Sequence, residues 1–410
     1  MGIFLSLKQI ADLLYRFKFL DIAMVLFAVA LMAICFFKNK IYSGIGSKID
    51  FTDYLIFILM VLFGLSFLRD TSALNEAVKI ESAFLLYFLG RLYPDSLEQH
   101  GRKLAIIGYG LIFINAVYYF RQMANHISQE DYPFPTLSEI KNGGAFYYYK
   151  TDLAIAVLIG AVFIYFFSKT EIFKYFILYY FCPVFLFHTN ARTGQVIYVA
   201  LAVLSVIRNI VLYIKKKNPE KSKEAPKLTK KKVFTVLFCI VCLLLIILIL
   251  VIRFSPVKDF TFDELGLKKK KRRKLENLFH SRHIIIWDTF HFLANQSVFR
   301  KLLGFDLSAI SFSEHNGLGK MSHSLYLTTV YAVGFLGVIV FLALIYRLFI
   351  TCIELNNERL KALTITMWVI FLFYGLSVET LEFTQISWFP FLMLGEAVSL
   401  CKKQKKERNI

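Results

Sequence analysis

Apolar stretches of about 17–22 residues, each with few charges, recur along the chain, and this recurrence governs what it can fold into. At about 1.5 Å rise per residue, each stretch matches a hydrocarbon layer about 30 Å thick. Only helices and closed barrels satisfy their backbone hydrogen bonds in lipid. Barrel strands would show runs of about ten residues with alternating polarity, which this sequence lacks. The expected fold is therefore all-α, a polytopic transmembrane bundle. Hydrophobic residues make up 57% of the 410, above the roughly 45–50% of soluble domains.

Spans are expected near 20–37, 51–68, 78–92, 104–120, 152–168, 172–188, 194–214, 233–252, 324–346, 363–378 and 388–400. Orientation follows the Lys/Arg bias of short loops. Loop 215–232 carries nine lysines and two glutamates, which assigns it to the cytoplasm together with the tail CKKQKKERNI. Alternation then puts 121–150, 253–323 and 379–387 outside. Segment 2–17 with Lys8 and Arg16 is either a twelfth span or an interfacial amphipathic helix, giving eleven or twelve in all. Three regions result: N-terminal membrane helices over 1–252, an extracytoplasmic loop over 253–323, and C-terminal helices with a basic tail over 324–410.

The net charge of +19 lies largely at helix ends and in two loops. Membrane orientation and anionic head groups account for it, and no zinc-finger or RNA-binding pattern points to nucleic acid. The pair Cys239 and Cys242 sits in a purely apolar run, where redox or zinc chemistry has no polar surroundings.

Polar residues cluster in the loop 253–323. Its run 268–274, including Lys268 and Lys269, is basic although the loop is assigned outside. Such a run either hugs anionic lipid or collects an anionic substrate. Five of the eight histidines lie here, at 280, 283, 291, 315 and 323. They lack the i,i+4 spacing with a carboxylate that marks a zinc site, so no metal is expected. The segment HSRHIIIWDTFHFLANQ, with Arg282 and Trp287, has helical spacing and reads as a surface helix. Arg192 opens another span, suited either to snorkelling or to gripping a phosphate in fork geometry. His323 stands at the mouth of the span that follows, and Gly334 and Gly337 suit a close helix approach.

These residues carry a resemblance. His323-Ser324, nine residues, then Gly334-x-x-Gly337 is similar to the His-(Asn/Ser/Gln)-x9-Gly-x-x-(Gly/Thr/Tyr) pattern of the O-antigen ligases. The related capsule and O-antigen repeat-unit polymerases (Wzy-type) have a similar helix. Arg282, Trp287 and LLGF resemble the family's Arg, Trp and (Leu/Phe)-Gly-x-Gly stretch, and NARTG resembles its Ser-Arg opening of an earlier helix. The chain departs in having GFD at Gly304 and Asn190-Ala191 before Arg192. The likeness covers roughly 140–400.

The resemblance implies a GT-C-like fold in a bacterial cytoplasmic membrane. It implies a metal-independent glycosyltransferase, without a cofactor, acting on undecaprenyl-diphosphate-linked oligosaccharide at the outer face. Flippase and chain-length regulator proteins are implied partners. The implied roles are His323 and Arg282 as catalytic residues, with Arg192, Trp287, Lys268 and Lys269 binding substrate. Glu379 and Glu382 are alternative bases. Polymerisation of repeat units is the leading expectation, ligation of finished glycan the second, and transport without chemistry the third.

Overall fold

The computed structural model describes residues 1–13, 19–38, 49–94, 96–126, 150–189, 191–217, 282–308 and 324–408. Most of those residues are helical, with no strand among them. In chain order the helices are α1 (Gly2–Leu13), α2 (Phe19–Lys38), α3 (Phe51–Arg69), α4 (Leu74–Leu92) and α5 (Ser96–His126). Then come α6 (Lys150–Phe167), α7 (Glu171–Phe176), a π-helical segment (Ile177–Phe181), α8 (Cys182–Thr189) and α9 (Arg192–Lys217). The last are α10 (Arg282–Ala294), α11 (Val298–Leu303), α12 (Leu325–Glu354), α13 (Glu358–Tyr374) and α14 (Thr384–Arg408). Helices α3 and α12 are long and apolar enough to cross a membrane, and 22–34, 152–167 and 193–206 are shorter apolar helices. The expected span at 233–252 lies outside the described residues.

The bundle is organised on α4 and α14, which run in parallel. A Cβ on Gly90 would stand 2.1 Å from the carbonyl oxygen of Leu392, and one on Gly395 would stand 2.0 Å from that of Tyr87. Side chains at those positions would push the helices apart, so the two glycines let the backbones touch. Trp388 Nε1 donates to Ser82 Oγ at 2.8 Å across the same seam, and Trp368 Nε1 ties α13 to the Pro390 carbonyl at 2.9 Å. Phe84, Trp368, Phe371 and Phe391 fill the centre with ring contacts of 5.1–5.9 Å.

Segment 2–13, left open by the sequence, forms a 12-residue helix tucked against the bundle. Phe4, Leu5, Lys8 and Gln9 are buried, and the Lys8 ammonium lies 4.6 Å over the Trp388 ring. A cation on an aromatic face keeps part of its electrostatic stabilisation away from water.

Ion pairs gather at one end of the bundle. At the end where the basic tail emerges, Asp53 accepts from Arg91 at 3.0 and 3.1 Å and from Tyr87 at 2.5 Å. Asp50 pairs with Arg347 at 3.1 Å, and Lys405 with Glu354 at 2.8 Å. The buried Glu396 carboxyl receives Ser96 Oγ and the Leu97 amide at 3.2 Å, pairing donors at the N-terminus of α5. The opposite end holds the α13–α14 connection with Glu379 and Glu382, and the start of α4 with Glu76.

Candidate functional site

Three helix starts meet at the C-terminal end of α13, on the face opposite the basic tail. The first is α12. Its N-cap, Ser324, has an extended backbone (φ −153°, ψ 126°), and its Oγ donates to the Gly375 carbonyl at 3.2 Å. The Leu325 amide donates to the same carbonyl at 2.8 Å and to that of Val378 at 3.1 Å. The α13–α14 turn thus accepts a donor that the helix start cannot pair internally. The second is α9, whose first residue is Arg192. A Cβ on Gly194 would lie 2.6 Å from the Tyr374 hydroxyl and 2.6 Å from Ala154 Cβ, so the first turn of α9 rests on α13 and α6. The third is α6, where Asp152 is buried and electrostatically coupled to Tyr374.

Tyr374 is fully buried, and its hydroxyl has no hydrogen-bond partner among the described residues. Asn115 Oδ1 and the Gln385 amide are likewise buried and without partners there. Buried polar atoms are paired in the great majority of cases, so a polar group left open is itself informative.

α12 is broken. Gly334 adopts φ 64°, ψ −167° and divides it into 325–333 and 335–354. The close helix approach expected of Gly334 is replaced by a backbone break. Only Gly337 keeps an ordinary helical place, beside Val333 and Leu62. The corner that fills the break is Gly304, also at positive φ (71°). The Phe305 amide donates to the Tyr331 carbonyl at 2.8 Å, supplying a bond that the interrupted helix lacks. Arg69, the last residue of α3, closes this corner. Its Nη1 donates to the carbonyls of Leu303, Gly304 and Phe305 at 3.0, 2.7 and 2.6 Å. Around it, Phe305 stacks on Tyr331 at 5.2 Å and meets Phe292 of α10 at 4.9 Å. Ile285, Leu293 and Leu327 complete this second apolar cluster.

Helix 325–333 is therefore pinned at both ends, to Gly375 before it and to Phe305 near its close. It carries His323-Ser324 in sequence at its leading edge. Helix α10 packs on α12 and opens at Arg282, as the spacing of 280–296 predicted. Arg192, Arg282 and Trp287 fall within described helices, while their side chains lie outside the described residues, as do His323, Lys268 and Lys269 entirely.

Glu379 and Glu382 lie in the α13–α14 connection. Glu382 is partly open by exposed area, yet protein surrounds its carboxyl on nearly every side. Burial first, then the carboxylates of Glu379 and Glu76, push its pKa well above the usual range, against the pull of Lys79. A carboxyl held neutral can donate a hydrogen bond.

Arg69, Asp152 and Tyr374 escaped sequence reading. Arg69 followed by Asp70 reads as an ordinary charged helix end. Asp152 carried the one available signal, a carboxylate entering an apolar span, which is a functional pointer by default. No described protein family, curated protein or solved structure matches the chain.

Proposed function

We propose that this chain is a multi-pass membrane glycosyltransferase that joins lipid-diphosphate-linked oligosaccharide repeat units into a surface polysaccharide at the outer face of a bacterial cytoplasmic membrane. The observation that carries the reading is the meeting of separate motif segments. Gly194, two residues after Arg192, and Ser324, one residue after His323, both contact the pair Tyr374–Gly375. The LLGF corner at Gly304 and the Gly334 of the histidine helix interlock. Segments that each resemble the family pattern in sequence are thus neighbours in space.

Membrane placement draws support from α3 and α12, and from the outward apolar face of α3, where Phe57, Val61, Leu65 and Leu68 are exposed. The basic C-terminal tail supports the sidedness. Lys402 and Lys405 of the basic tail emerge at the end that also holds Arg91 and Arg347, where cytoplasmic cation bias would put the tail.

In the proposed reaction an acceptor sugar hydroxyl attacks the anomeric carbon of the donor. The new C–O bond forms as the bond to the lipid diphosphate breaks, and the diphosphate leaves with the electron pair. His323 takes the hydroxyl proton, which general-base help makes faster by roughly 10²–10⁴. Arg192 and Arg282 hold the leaving diphosphate, whose charge grows in a low-dielectric setting where fixed cations act strongly. Arginine suits this because its planar fork grips phosphate oxygens in pairs. Lys268 and Lys269 gather the anionic donor.

The deciding experiment is the profile of lipid-linked glycans in cells lacking the protein. Accumulated single repeat units support polymerisation. Accumulated long chains overturn it in favour of ligation, single units held at the inner face overturn it in favour of transport, and an unchanged profile removes both polymerase and ligase.

A further inference from the structure

Between α6, the π-helical segment, α9 and α13 the bundle holds a lateral crevice of about 130 Å³. Leu158, Val162, Leu178, Leu201 and Ala202 form most of its wall. Its hydroxyls are already engaged. Tyr179 Oη and Ser205 Oγ bond each other at 2.6 Å, and Ser205 Oγ donates to the Ala202 carbonyl at 2.7 Å. Tyr198 Oη donates to the Leu178 carbonyl at 2.5 Å, at the π-helical turn. The wall therefore offers little to a polar guest. An apolar cavity near 150 Å³ stays dry and accepts an apolar guest about the size of benzene, so this one suits a length of hydrocarbon chain. The crevice is open to the side, and its lining residues Tyr179 and Leu204 are exposed.

Cations flank the crevice at the basic-tail end. Arg359 is exposed, with its guanidinium 5.9 Å from the Phe167 ring centroid. Ala362, three residues further along the same helix and so on the same face, lines the crevice. Lys169 is exposed just beyond α6, three residues after the lining residue Phe166. The neighbouring Lys174 and Lys361 are neutralised by Glu171 at 2.7 Å and Glu358 at 2.6 Å. Among the described residues Arg359 and Lys169 have no carboxylate partner. Exposed cations next to a bilayer attract anionic lipid.

We propose that this crevice holds one acyl chain of an anionic phospholipid from the surrounding leaflet, its phosphate resting on Arg359 and Lys169. The inference rests on the membrane placement proposed above and is independent of the transfer chemistry. The lipid acts as a wedge between α9 and α13, and α9 is the helix whose first turn reaches Tyr374 at the candidate site.

The test uses the full chain in vesicles of phosphatidylethanolamine and phosphatidylglycerol, with a trace of phosphatidylglycerol bearing a photoreactive diazirine on its acyl chain. Cross-links should concentrate on 158–166 and 198–205, and excess phosphatidylglycerol should displace them where phosphatidylcholine does not. Labelling spread evenly onto α3 would overturn the site. Displacement by phosphatidylcholine as effective as by phosphatidylglycerol would overturn the head-group assignment, and stronger displacement by a polyprenyl phosphate would overturn the choice of lipid. Ala202→Trp fills the crevice and should lower the yield about tenfold, since the guest loses its apolar burial. Arg359→Gln with Lys169→Gln should erase the preference between head groups without moving the cross-links. Unaltered preference in that double variant would overturn the role of the two cations. None of these readings requires glycosyl transfer, so a failed enzymatic assignment and a failed lipid site are separable.

Discussion

Gly304 and Gly334 stand against each other at the break in α12, each at positive φ, so that a Cβ on either would meet the other's backbone. From Gly334 it would lie 2.5 Å from the Gly304 nitrogen, and from Gly304 it would lie 2.6 Å from the Gly334 nitrogen. Backbone at positive φ with ψ roughly ±165° is essentially confined to glycine and costs another residue about 1–3 kcal/mol before any clash is counted. G334A is expected to destabilise the protein by about 2 kcal/mol or more and to abolish polymer formation. A thermal unfolding series in detergent checks the first, and glycan length analysis the second. A G337A control should act on stability alone.

Arg69 organises that corner through three carbonyls from a single nitrogen. Its side chain is exposed, so each bond is worth less than a buried charged one. R69M should cost about 1 kcal/mol and loosen 282–308. Limited proteolysis would register this as faster cleavage within that segment. Equal cleavage rates in R69M and the parent protein would remove Arg69 from the positioning of α10 and α11.

The first turn of α9 has no room for a side chain at Gly194. G194V should displace that turn from Tyr374 and Ala154, moving Arg192 with it. The expected result is loss of polymer at least as complete as in R192A, with the protein still present in membranes. Polymer yield at parental level in G194V would show that the position of this turn does not matter to activity.

Y374F separates structure from chemistry at the same spot. The Tyr374 hydroxyl is buried without a partner among the described residues, and such a group costs about 1–3 kcal/mol. Its removal is expected to hold or raise the melting temperature while lowering polymer yield. A lower melting temperature with full yield would assign the hydroxyl to the scaffold instead.

Glu382 provides a pH signature. Its pKa in the folded protein lies above the ordinary value of 4.5, because burial and the carboxylates of Glu379 and Glu76 favour the neutral acid. Its contribution to stability is therefore full below about pH 4.5 and is lost as the pH rises through the folded-state value. E382Q keeps the neutral form at every pH. Unfolding midpoints measured from pH 4 upward should fall in the parent protein and stay flatter in E382Q.

The run of long apolar stretches determined the helical class without help from tertiary contacts, because only helices pair every backbone group within one such segment. The helix at 282–294 was also legible, from its spacing of Ile285, Phe290 and Phe292. Gly334 shows where sequence reasoning stops. Its spacing from Gly337 fits a close helix contact equally well, and only the corner at Gly304 decides that it breaks the helix. The same holds for Arg69, which is 235 residues from the Gly304 carbonyl it binds. Asp152, Gly194, Ser324 and Tyr374 belong to four separate stretches of chain, and no local pattern links them. Periodicity and charge bias act over a few turns of helix and can be read directly. The meeting of helix ends depends on how the whole bundle packs, and that packing is set by interdigitating side chains from distant segments.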